Sequence, residues 1–360
     1  MKVVISAGGT GGHIYPALAI VNKIKQREPN SEILYIGTHN RMEKAIVPKY
    51  GINYKPIEVY GFNRKNLFSN FKTLKFLIKS FIKCKKIIKE FKPDIVIGVG
   101  GYVTVPVIYA AYKLDIKTFI HEQNSVSGSA NTFLSRFASA IGVSFKSSIK
   151  FFPEYKTTFT GNPCSEQALK VLPISKTSLG LREHKKFVLI VMGSLGSNKI
   201  NEYFIRNMKK FGQADYDVLF ISGEQNYLMF KDTKLPSNVH IVPYIEQLTR
   251  VMKLADLVVS RAGASMLSEL IVLEIPAILI PSPYVVNNHQ YKNTIDLTTN
   301  EAAILIEEKD MDDNILVATI NKVINNKQLL DSIKKNIRPF KVIDSSSRIY
   351  KILKELVDRK

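Results

Sequence analysis

Cysteine is scarce in this chain, which has only Cys84 and Cys164 in 360 residues. Two cysteines make neither a disulfide framework nor the ligand spacing of a structural zinc site, so a reducing cytoplasm is the expected compartment. The N-terminus has an apolar run of only three residues, 3–5, so no secretory signal is expected. The charge-free stretch 95–112 approaches membrane-spanning length, but its glycines and Pro106 favour a buried strand, a turn and an apolar helix.

Acidic residues are also few, with 31 Asp and Glu against 51 Lys and Arg, which gives a formal net charge of +20. Nucleic acid, an anionic membrane or an acidic substrate could balance such a charge. Much of the excess is scattered, but residues 64–92 hold ten cations against the single acid Glu90. Apolar residues at 67, 71, 74, 78, 81 and 82 follow the helical spacing expected of a core face. Phe68 and Phe76 lie outside that stripe, so the apolar surface is wider than one core face needs. This basic, aromatic-rich helix favours an anionic lipid surface, with a merely solvated helix face as the alternative. Nucleic acid is not expected, because no recognition motif accompanies the lysines.

Short apolar runs alternate with helical patterns along both halves of the chain, which predicts an α/β fold with doubly wound parallel sheets. Strands are predicted at residues 2–6, 32–37, 94–98, 117–121, 140–143, 187–192, 218–222, 239–242, 257–260 and 277–281. Helices are predicted at residues 15–27, 41–50, 105–114 and 345–357 and in the basic block. The turn-rich segment 161–164 separates an N-terminal domain, 1–163, from a C-terminal domain, 164–340. We expect the two domains to face a cleft, with a C-terminal helix at about 341–360 packing back on the first domain.

A glycine-rich loop, residues 6–16, joins the first strand to the first helix. Bare backbone N–H groups at a helix N-terminus favour an anionic or oxygen-rich ligand. The loop is not a dinucleotide fingerprint, because position 14 is Ile14 and the second strand ends in Gly37-Thr38 rather than an acidic residue. It contains His13, which can take up a proton near neutral pH and is our candidate general base. A phosphate contact or a helix cap is the alternative role for His13, and Glu122 is the reserve base.

Further glycine turns follow other strands, at residues 98–102, 193–197 and 261–269. Because ligands sit at the carboxyl ends of parallel strands, the first-domain turns and segment 121–124 should converge on one crevice. Arg261 offers a positive charge to a diphosphate, and Glu269 can accept hydrogen bonds from vicinal hydroxyls such as those of ribose. The amide-rich segment 287–293 suits sugar hydroxyls, although a plain polar loop has the same composition. No metal site is expected, since the D-x-D motif at 310–312 lies far from every glycine turn in sequence.

The ordered set of motifs resembles the MurG family of glycosyltransferases over the full length of the chain. The matching segments are residues 8–13 with Pro16, then residues 98–103, 121–124, 161–163, 193–197, 261–264 and 288–293. The resemblance implies a GT-B fold of two Rossmann-like domains. It also implies inverting transfer of N-acetylglucosamine from UDP-N-acetylglucosamine to the 4-hydroxyl of undecaprenyl-diphosphoryl-N-acetylmuramoyl-pentapeptide, converting lipid I to lipid II. The enzyme would act as a peripheral protein at the cytoplasmic face of the bacterial membrane, with UDP-N-acetylglucosamine as co-substrate and no cofactor.

The resemblance also implies roles for individual residues. On the acceptor side, Thr10, His13 and Asn124 would approach the reacting sugars, and the turns carrying Gly11, Gly12, Gly100, Gly101 and Tyr102 would hold the acceptor diphosphate. On the donor side, the Ile245 backbone would contact uracil, and Glu269 would bind the ribose. The diphosphate would be bound by Ser194, Arg261, Ala264 and Ser265. The N-acetylglucosamine would be bound by Gln290 with His289. Residues 64–92 would be the membrane-associating patch. Ser165 and His289 depart from the family pattern, because many relatives carry arginine and some carry glutamine at those positions.

Three rival functions stay open on the sequence alone. A related GT-B enzyme could glycosylate diacylglycerol, and a UDP-sugar 2-epimerase could share the nucleotide region around Arg261 and Glu269. The segment 121–124 and the first glycine loop favour the lipid I enzyme over both. A basic nucleic-acid-binding protein without catalytic activity is the third rival; it would show a steep salt dependence of binding and no affinity for UDP.

Overall fold

The computed structural model describes residues 1–61, 70–193, 196–312 and 314–359. The chain divides into two compact units: unit 1 comprises Met1–Glu166 with Asp344–Lys360, and unit 2 comprises Gln167–Ile343. The chain therefore leaves unit 1 after Glu166 and returns to it at Asp344. Of the basic block 64–92, residues 64–69 lie outside the described residues, as does Ser194 of the donor-side prediction.

Unit 1 alternates strands and helices. Its elements are β1 (Lys2–Ser6), α1 (Gly11–Arg27), β2 (Glu32–Thr38), α2 (Glu43–Ile46), β3 (Asn53–Ile57), α3 (Asn70–Phe91), β4 (Ile95–Gly98), α4 (Thr104–Tyr112), β5 (Lys117–Glu122), α5 (Ser129–Leu134), β6 (Ala140–Val143), β7 (Thr157–Phe159), α6 (Pro163–Lys170), which runs on into unit 2, and the last helix of the chain, Ser345–Asp358. All strand pairs are parallel, in the order β3-β2-β1-β4-β5-β6-β7.

Both faces of the unit 1 sheet are covered, which explains its nearly continuous apolar strands. Successive side chains of a strand point to opposite faces, so β1 contributes to two cores. Val3 and Ile5 pack with α1 and with Ile349 and Leu353 of the C-terminal helix. Val4 packs in a second core on the opposite face, with residues of α3 and α4. The C-terminal helix is thus part of the unit 1 core.

Unit 2 repeats this arrangement with a smaller sheet. Its elements are β8 (Phe187–Val191), α7 (Asn198–Arg206), α8 (Met208–Gly212), β9 (Asp217–Ile221), β10 (Val239–Val242), α9 (Leu248–Met252), β11 (Leu257–Ser260), α10 (Ala264–Val272), β12 (Ala277–Leu279), α11 (His289–Thr298), β13 (Ile304–Leu305), α12 (Ile315–Ile324) and α13 (Lys327–Ile337); the C-terminal helix in unit 1 is α14 (Ser345–Asp358). Its parallel strands follow the order β10-β9-β8-β11-β12-β13.

Each sheet has one point at which its strand order reverses, and the glycine turns flank those points. In unit 1 the reversal lies between β1 and β4, which the first glycine loop and the turn 98–102 follow. In unit 2 it lies between β8 and β11, which the turns 193–197 and 261–269 follow. Open parallel sheets bind ligands in the crevice at such a reversal. The topology therefore gives each unit one candidate binding edge.

The sequence predictions missed three short strands and misplaced one apolar stripe. β3, β7 and β13 are edge strands of five, three and two residues, too short or too polar to give a clear alternating pattern. In α3, the stripe residues Phe71, Leu74, Ile78 and Ile82 were expected to include the core face. The structure corrects this: all four are exposed, and the side chains that α3 buries lie on a more polar face.

Candidate active site

The first glycine loop ends earlier than the sequence suggested, because α1 begins at Gly11 and His13 lies in its first turn. Thr10 is the N-cap residue, and the His13 N–H donates to Thr10 O at 3.1 Å. His13 Nδ1 lies 3.0 Å from Gly8 O. Since a carbonyl oxygen can only accept, Nδ1 carries the proton, and Nε2 holds the lone pair of the neutral ring. The half-buried ring is therefore oriented as a base requires.

The second glycine turn of unit 1 packs directly on the first, as predicted from the position of both turns at the carboxyl ends of parallel strands. Gly8 N donates to Gly100 O at 3.2 Å. Gly100 and Gly101 have φ of 104° and 88°, where only glycine is unstrained. A Cβ on Gly100 would lie 2.6 Å from His13 Cδ2, and one on Gly101 would lie 2.4 Å from Gly8 O. Glycine is thus needed at both positions for the two turns to touch.

Glu122, the reserve base of the sequence prediction, is a buried scaffold for the loop after β5. The side chain is 2% exposed. Its Oε1 accepts from Asn124 N at 3.0 Å and Asn124 Nδ2 at 3.2 Å. Its Oε2 accepts from Gly128 N and Asn131 Nδ2, both at 2.9 Å. A carboxylate occupied by four donors orients Asn124 and has no lone pair placed to take a substrate proton.

The buried His121 beside it is structural as well. Its Nδ1 accepts from Gln123 Nε2 at 3.0 Å, so Nε2 carries the proton and donates to Gly161 O at 3.1 Å. Burial lowers the pKa of His121 to about 4. The ring is therefore neutral at physiological pH. Asn124 is half-buried at the tip of the loop, and Tyr102 is exposed on the neighbouring glycine turn.

On the binding edge of unit 2, Arg261 is buried and already paired. Its guanidinium donates to Ile280 O at 3.1 Å and to Ser197 Oγ at 2.9 Å, and it forms a 2.5 Å ion pair with Glu308. Because Glu308 is 3% exposed, its charge offsets the arginine inside the protein. Arg261 therefore joins the start of α7 to the turn after β11, and Glu308 offsets the positive charge that the sequence analysis assigned to it.

Backbone groups at two helix starts supply the other donors of this edge. Gly263 caps α10, and a Cβ there would meet no atom within 4 Å, so the space beside this turn is open. Ala264 is buried and Ser265 half-buried in the first turn of α10. Gly196 precedes α7 with φ of 72°, and its Cβ position would lie 2.1 Å from Ser222 O. Helix N-termini of this kind favour anionic ligands.

Glu269 carries the clearest electrostatic signature of the site. It lies in the second turn of α10, half-buried, and Thr249 Oγ1 donates to its Oε2 at 3.1 Å. Burial raises the pKa of Glu269 to about 7, and the Thr249 hydrogen bond opposes that rise. Its carboxyl group therefore titrates in the physiological range, unlike an ordinary surface glutamate.

If Glu269 accepts hydrogen bonds from the ribose hydroxyls, affinity for UDP-N-acetylglucosamine should fall as the pH drops through about 7. The ionised carboxylate accepts from both hydroxyls, whereas the protonated form, which dominates below that pKa, must keep one oxygen as a donor. The limiting slope is about tenfold per pH unit. The diphosphate of UDP-N-acetylglucosamine is a diester without a group titrating near pH 7. A change in affinity that calorimetry measures across that pH therefore arises from the protein. Glu269→Gln should flatten the profile; an unchanged slope in that variant would exclude the ribose role.

The amide-rich segment of unit 2, residues 287–293, is held by hydrogen bonds to neighbouring turns. Ser282 N donates to Gln290 Oε1 at 2.8 Å, so Nε2 is the remaining donor group of that amide. His289 Nδ1 donates to Val286 O at 2.9 Å, and the ring is half-buried. Asn293 is fully buried and donates to Ala262 O at 3.2 Å, which ties α11 to the turn after β11. Ile245 lies half-buried in the loop between β10 and α9.

Two buried carboxylates at these edges were missed from sequence. Glu43 follows β2 and is 0% exposed, with its Oε2 accepting from Gly9 N at 3.2 Å. Glu308 is the partner of Arg261 described above. Glu43 looks like any first-turn helix acid, and Glu308 stands in a run of surface charges, so no local pattern distinguishes either from a solvated side chain.

At Ser165, where many relatives have arginine, the hydroxyl is buried and contacts Ser345 Oγ at 2.9 Å.

The described ranges contain neither a cluster of metal-ligating side chains nor a membrane-spanning helix. No group of three or more His, Cys, Asp and Glu residues there is arranged to hold a metal ion. Likewise, none of the helices in those ranges combines the length and the apolar character needed to cross a bilayer.

Comparison with known proteins gives matches over both units. Family models match residues 3–143 as the glycosyltransferase family 28 N-terminal domain and residues 187–349 as its C-terminal domain. A curated Bacillus cytotoxicus protein is 43% identical over 100% of both chains; it is named UDP-N-acetylglucosamine--N-acetylmuramyl-(pentapeptide) pyrophosphoryl-undecaprenol N-acetylglucosamine transferase. The crystal structure of Acinetobacter baumannii MurG is 26% identical with a TM-score of 0.78, covering 98% of this chain and 99% of that one.

A more distant structure shows how widely this fold is shared. Neisseria meningitidis UDP-GlcNAc 2-epimerase bound to UDP-GlcNAc matches with a TM-score of 0.71 at 14% identity, covering 99% of this chain and 100% of that one. At that identity the likeness concerns the fold alone. Together with the full-length match to MurG, the two parallel sheets confirm the predicted α/β architecture of GT-B type.

Proposed function

The chain belongs to glycosyltransferase family 28, and from that premise we propose that it transfers N-acetylglucosamine from UDP-N-acetylglucosamine to the muramoyl 4-hydroxyl of undecaprenyl-diphosphoryl-N-acetylmuramoyl-pentapeptide. The product is lipid II, the disaccharide precursor of peptidoglycan. One observation supports this most strongly: relatives bearing the name of that activity match the whole chain, at 43% identity. The glycine turns at the strand-order reversal of each sheet supply a binding edge for each of two diphosphate-bearing substrates.

Unit 2 binds the donor in this proposal. The N-termini of α7 and α10 receive the diphosphate, together with Ser194 and Ser265, while Arg261 holds the two turns in register. Glu269 accepts from the ribose, and the backbone of Ile245 contacts uracil. Gln290 donates its Nε2 to the N-acetylglucosamine, since its Oε1 is already held by Ser282 N. His289 lies beside it at the start of α11.

Unit 1 binds the acceptor, with its diphosphate against the bare turns that carry Gly11, Gly12, Gly100 and Gly101. His13 Nε2 takes the proton of the 4-hydroxyl as that oxygen attacks the anomeric carbon. The bond from the anomeric carbon to the diphosphate oxygen breaks in the same displacement, so the configuration inverts. UDP leaves with the bonding electron pair, and helix N-termini in unit 2 stabilise its added charge. Asn124, held by Glu122, contacts the reacting sugars.

An anionic membrane surface is the proposed site of action, through α3. Phe71, Leu74, Ile78 and Ile82 form an exposed apolar row along this helix, with exposed fractions of 47–75%. Seven lysines share the helix, at positions 72, 75, 79, 83, 85, 86 and 89, against the single acid Glu90. Lysines near an anionic surface contribute about 1 kcal/mol each, and the apolar row can insert between headgroups. Bound there as a peripheral protein, the enzyme would meet its lipid-linked acceptor.

Replacing Phe71 and Ile82 together by serine should weaken binding to anionic phosphatidylglycerol vesicles by at least about tenfold, because full burial of such side chains is worth roughly 1.5–3 kcal/mol each. Vesicle co-sedimentation measures this. Leu228→Ser is the matched control, since Leu228 in unit 2 is 75% exposed, as Phe71 is. The control should bind like the parent. Equal loss in both variants, or equal binding of the parent to neutral phosphatidylcholine vesicles at low salt, would contradict this role of α3.

The activity itself is tested by UDP release from UDP-N-acetylglucosamine, with and without a short-chain lipid I analogue. We expect acceptor-dependent release and much slower release from UDP-glucose. Appearance of labelled sugar in diacylglycerol instead would favour the lipid-glycosylating rival, and acceptor-independent isomerisation of the sugar would favour the 2-epimerase. Nucleic-acid binding without UDP binding would favour the non-enzymatic rival.

A further inference from the structure

One peptide group in unit 1 joins a buried carboxylate to the ring of His13. The Gly9 N–H donates to Glu43 Oε2 at 3.2 Å. At the other end of the same peptide group, Gly8 O accepts from His13 Nδ1 at 3.0 Å. Carboxylate, peptide and imidazole therefore form one continuous chain of hydrogen bonds.

Glu43 is held in place for this contact. Its second oxygen, Oε1, accepts from Thr38 N at 3.0 Å and from Thr38 Oγ1 at 2.5 Å. A Cβ on Gly8 would lie 2.4 Å from that oxygen, so glycine at this position lets the carboxylate approach the loop. All three of these donors are neutral groups, and the side chain is 0% exposed. The negative charge also acts on nearby Tyr35, whose pKa is raised by burial and, secondly, by Glu43.

A carboxylate at one end of a peptide group strengthens the acceptor at the other end. Hydrogen bonds to ionised groups are the stronger ones, and linked hydrogen bonds polarise one another. Gly8 O is therefore a better acceptor for the His13 Nδ1–H than an isolated carbonyl would be. The bond made by one imidazole nitrogen decides which nitrogen is protonated. The hydrogen bond from Nδ1–H to Gly8 O also stabilises the ring once Nε2 has taken up a proton.

We infer that Glu43 is a positioning residue that sets the tautomer and orientation of His13 through the Gly8–Gly9 peptide group. The inference rests on the proposed function only in that His13 acts as the base. The tautomer itself can be observed without any turnover. A purely structural Glu43, which merely closes the turn between β2 and α2, would leave the tautomer of His13 unchanged when it is replaced.

The test is ¹⁵N NMR of histidine-labelled protein, with the His13 resonances assigned by their loss in His13→Gln. We expect the neutral ring of the parent to be in the Nδ1–H form, whereas an isolated histidine side chain favours Nε2–H. Glu43→Gln should move His13 towards Nε2–H. The glutamine oxygen is needed by the two Thr38 donors, so its NH₂ group would face the Gly9 N–H, donor against donor.

Glu122→Gln is the matched control, because Glu122 is also a buried carboxylate at a strand end. It accepts from Asn124 and Gly128 and does not accept from the Gly8–Gly9 peptide group. It should leave the His13 tautomer as in the parent. Thr38→Val, which removes only the hydroxyl donor to Glu43, should give a smaller shift in the same direction as Glu43→Gln. An Nε2–H ring in the parent protein overturns the inference without any variant, as does a folded Glu43→Gln protein that keeps Nδ1–H.

Kinetics separate this inference from the proposed function. Glu43→Gln should lower kcat on the order of 10- to 100-fold, as losing an orienting partner of a functional histidine does elsewhere, while KM for UDP-N-acetylglucosamine stays near the parent value. Near-normal turnover of His13→Gln would remove His13 as the base, yet the tautomer data would still decide whether Glu43 orients the ring. A raised KM with unchanged kcat in Glu43→Gln would overturn the positioning role.

Discussion

His13→Ala should retain its fold and lose turnover on the order of 10²–10⁴-fold, the usual contribution of a general base. The ring is placed for that role, because Nδ1 donates to Gly8 O and Nε2 holds the lone pair of the neutral form. The side chain is half-buried, in the first turn of α1, so its removal opens little of the core. Steady-state UDP release with the lipid I analogue measures the loss, and thermal melting verifies the fold.

Two further variants distinguish a base from a phosphate ligand or a helix cap. His13→Gln offers an N–H donor at a similar reach but cannot take up a proton, so it should be nearly as inactive as the alanine variant. If His13 only donated to a phosphate, glutamine would keep much of the turnover. His184→Ala is the control, because that histidine is exposed on unit 2, whereas the two glycine turns around His13 belong to unit 1, and it should leave turnover unchanged. Near-normal turnover in His13→Ala would refute the assignment.

Gly101→Ala should be the most damaging of the glycine substitutions in unit 1. The backbone has φ of 88°, which alone costs an alanine about 1–3 kcal/mol. In addition, the new Cβ would lie 2.4 Å from Gly8 O, and a backbone atom cannot rotate away as a side chain can. Relief requires the two glycine turns to separate, which displaces His13 and the diphosphate donors together. We expect loss of most turnover along with a lowered melting temperature.

Gly9→Ala provides the matched control for that prediction. Its φ of 92° imposes a similar backbone strain, but its Cβ position meets nothing within 4 Å. The difference in free energy of unfolding between the two variants therefore isolates the clash with Gly8 O. Equal destabilisation in urea titrations of Gly9→Ala and Gly101→Ala would mean that the turns do not pack as described.

Much of the candidate site was foreseeable because it is local. The strands β6, β10 and β11 match their predicted bounds, since strands buried on both faces read as short apolar runs. The glycine turns after β1, β4 and β8 were recognisable because the positive φ of Gly9, Gly100 and Gly193 favours glycine itself. Gly263, after β11, has φ of −68° and caps α10. The start of α1 was misplaced by four residues, because glycines, a threonine and a histidine are weak helix formers whose helical state depends on the following turns.

What the sequence by itself determined is the alternation of elements, the position of each bare turn and, through its ordered motifs, the family. Tertiary structure alone decided which face of α3 is exposed, that Glu122 is occupied by four donors, and that Glu43 and Glu308 are buried against Gly9 and Arg261. The last two facts depend on groups that lie 34 and 47 positions apart along the chain (Gly9 with Glu43, Arg261 with Glu308). A buried carboxylate is recognisable only by the donors around it, and folding is what brings those donors into contact.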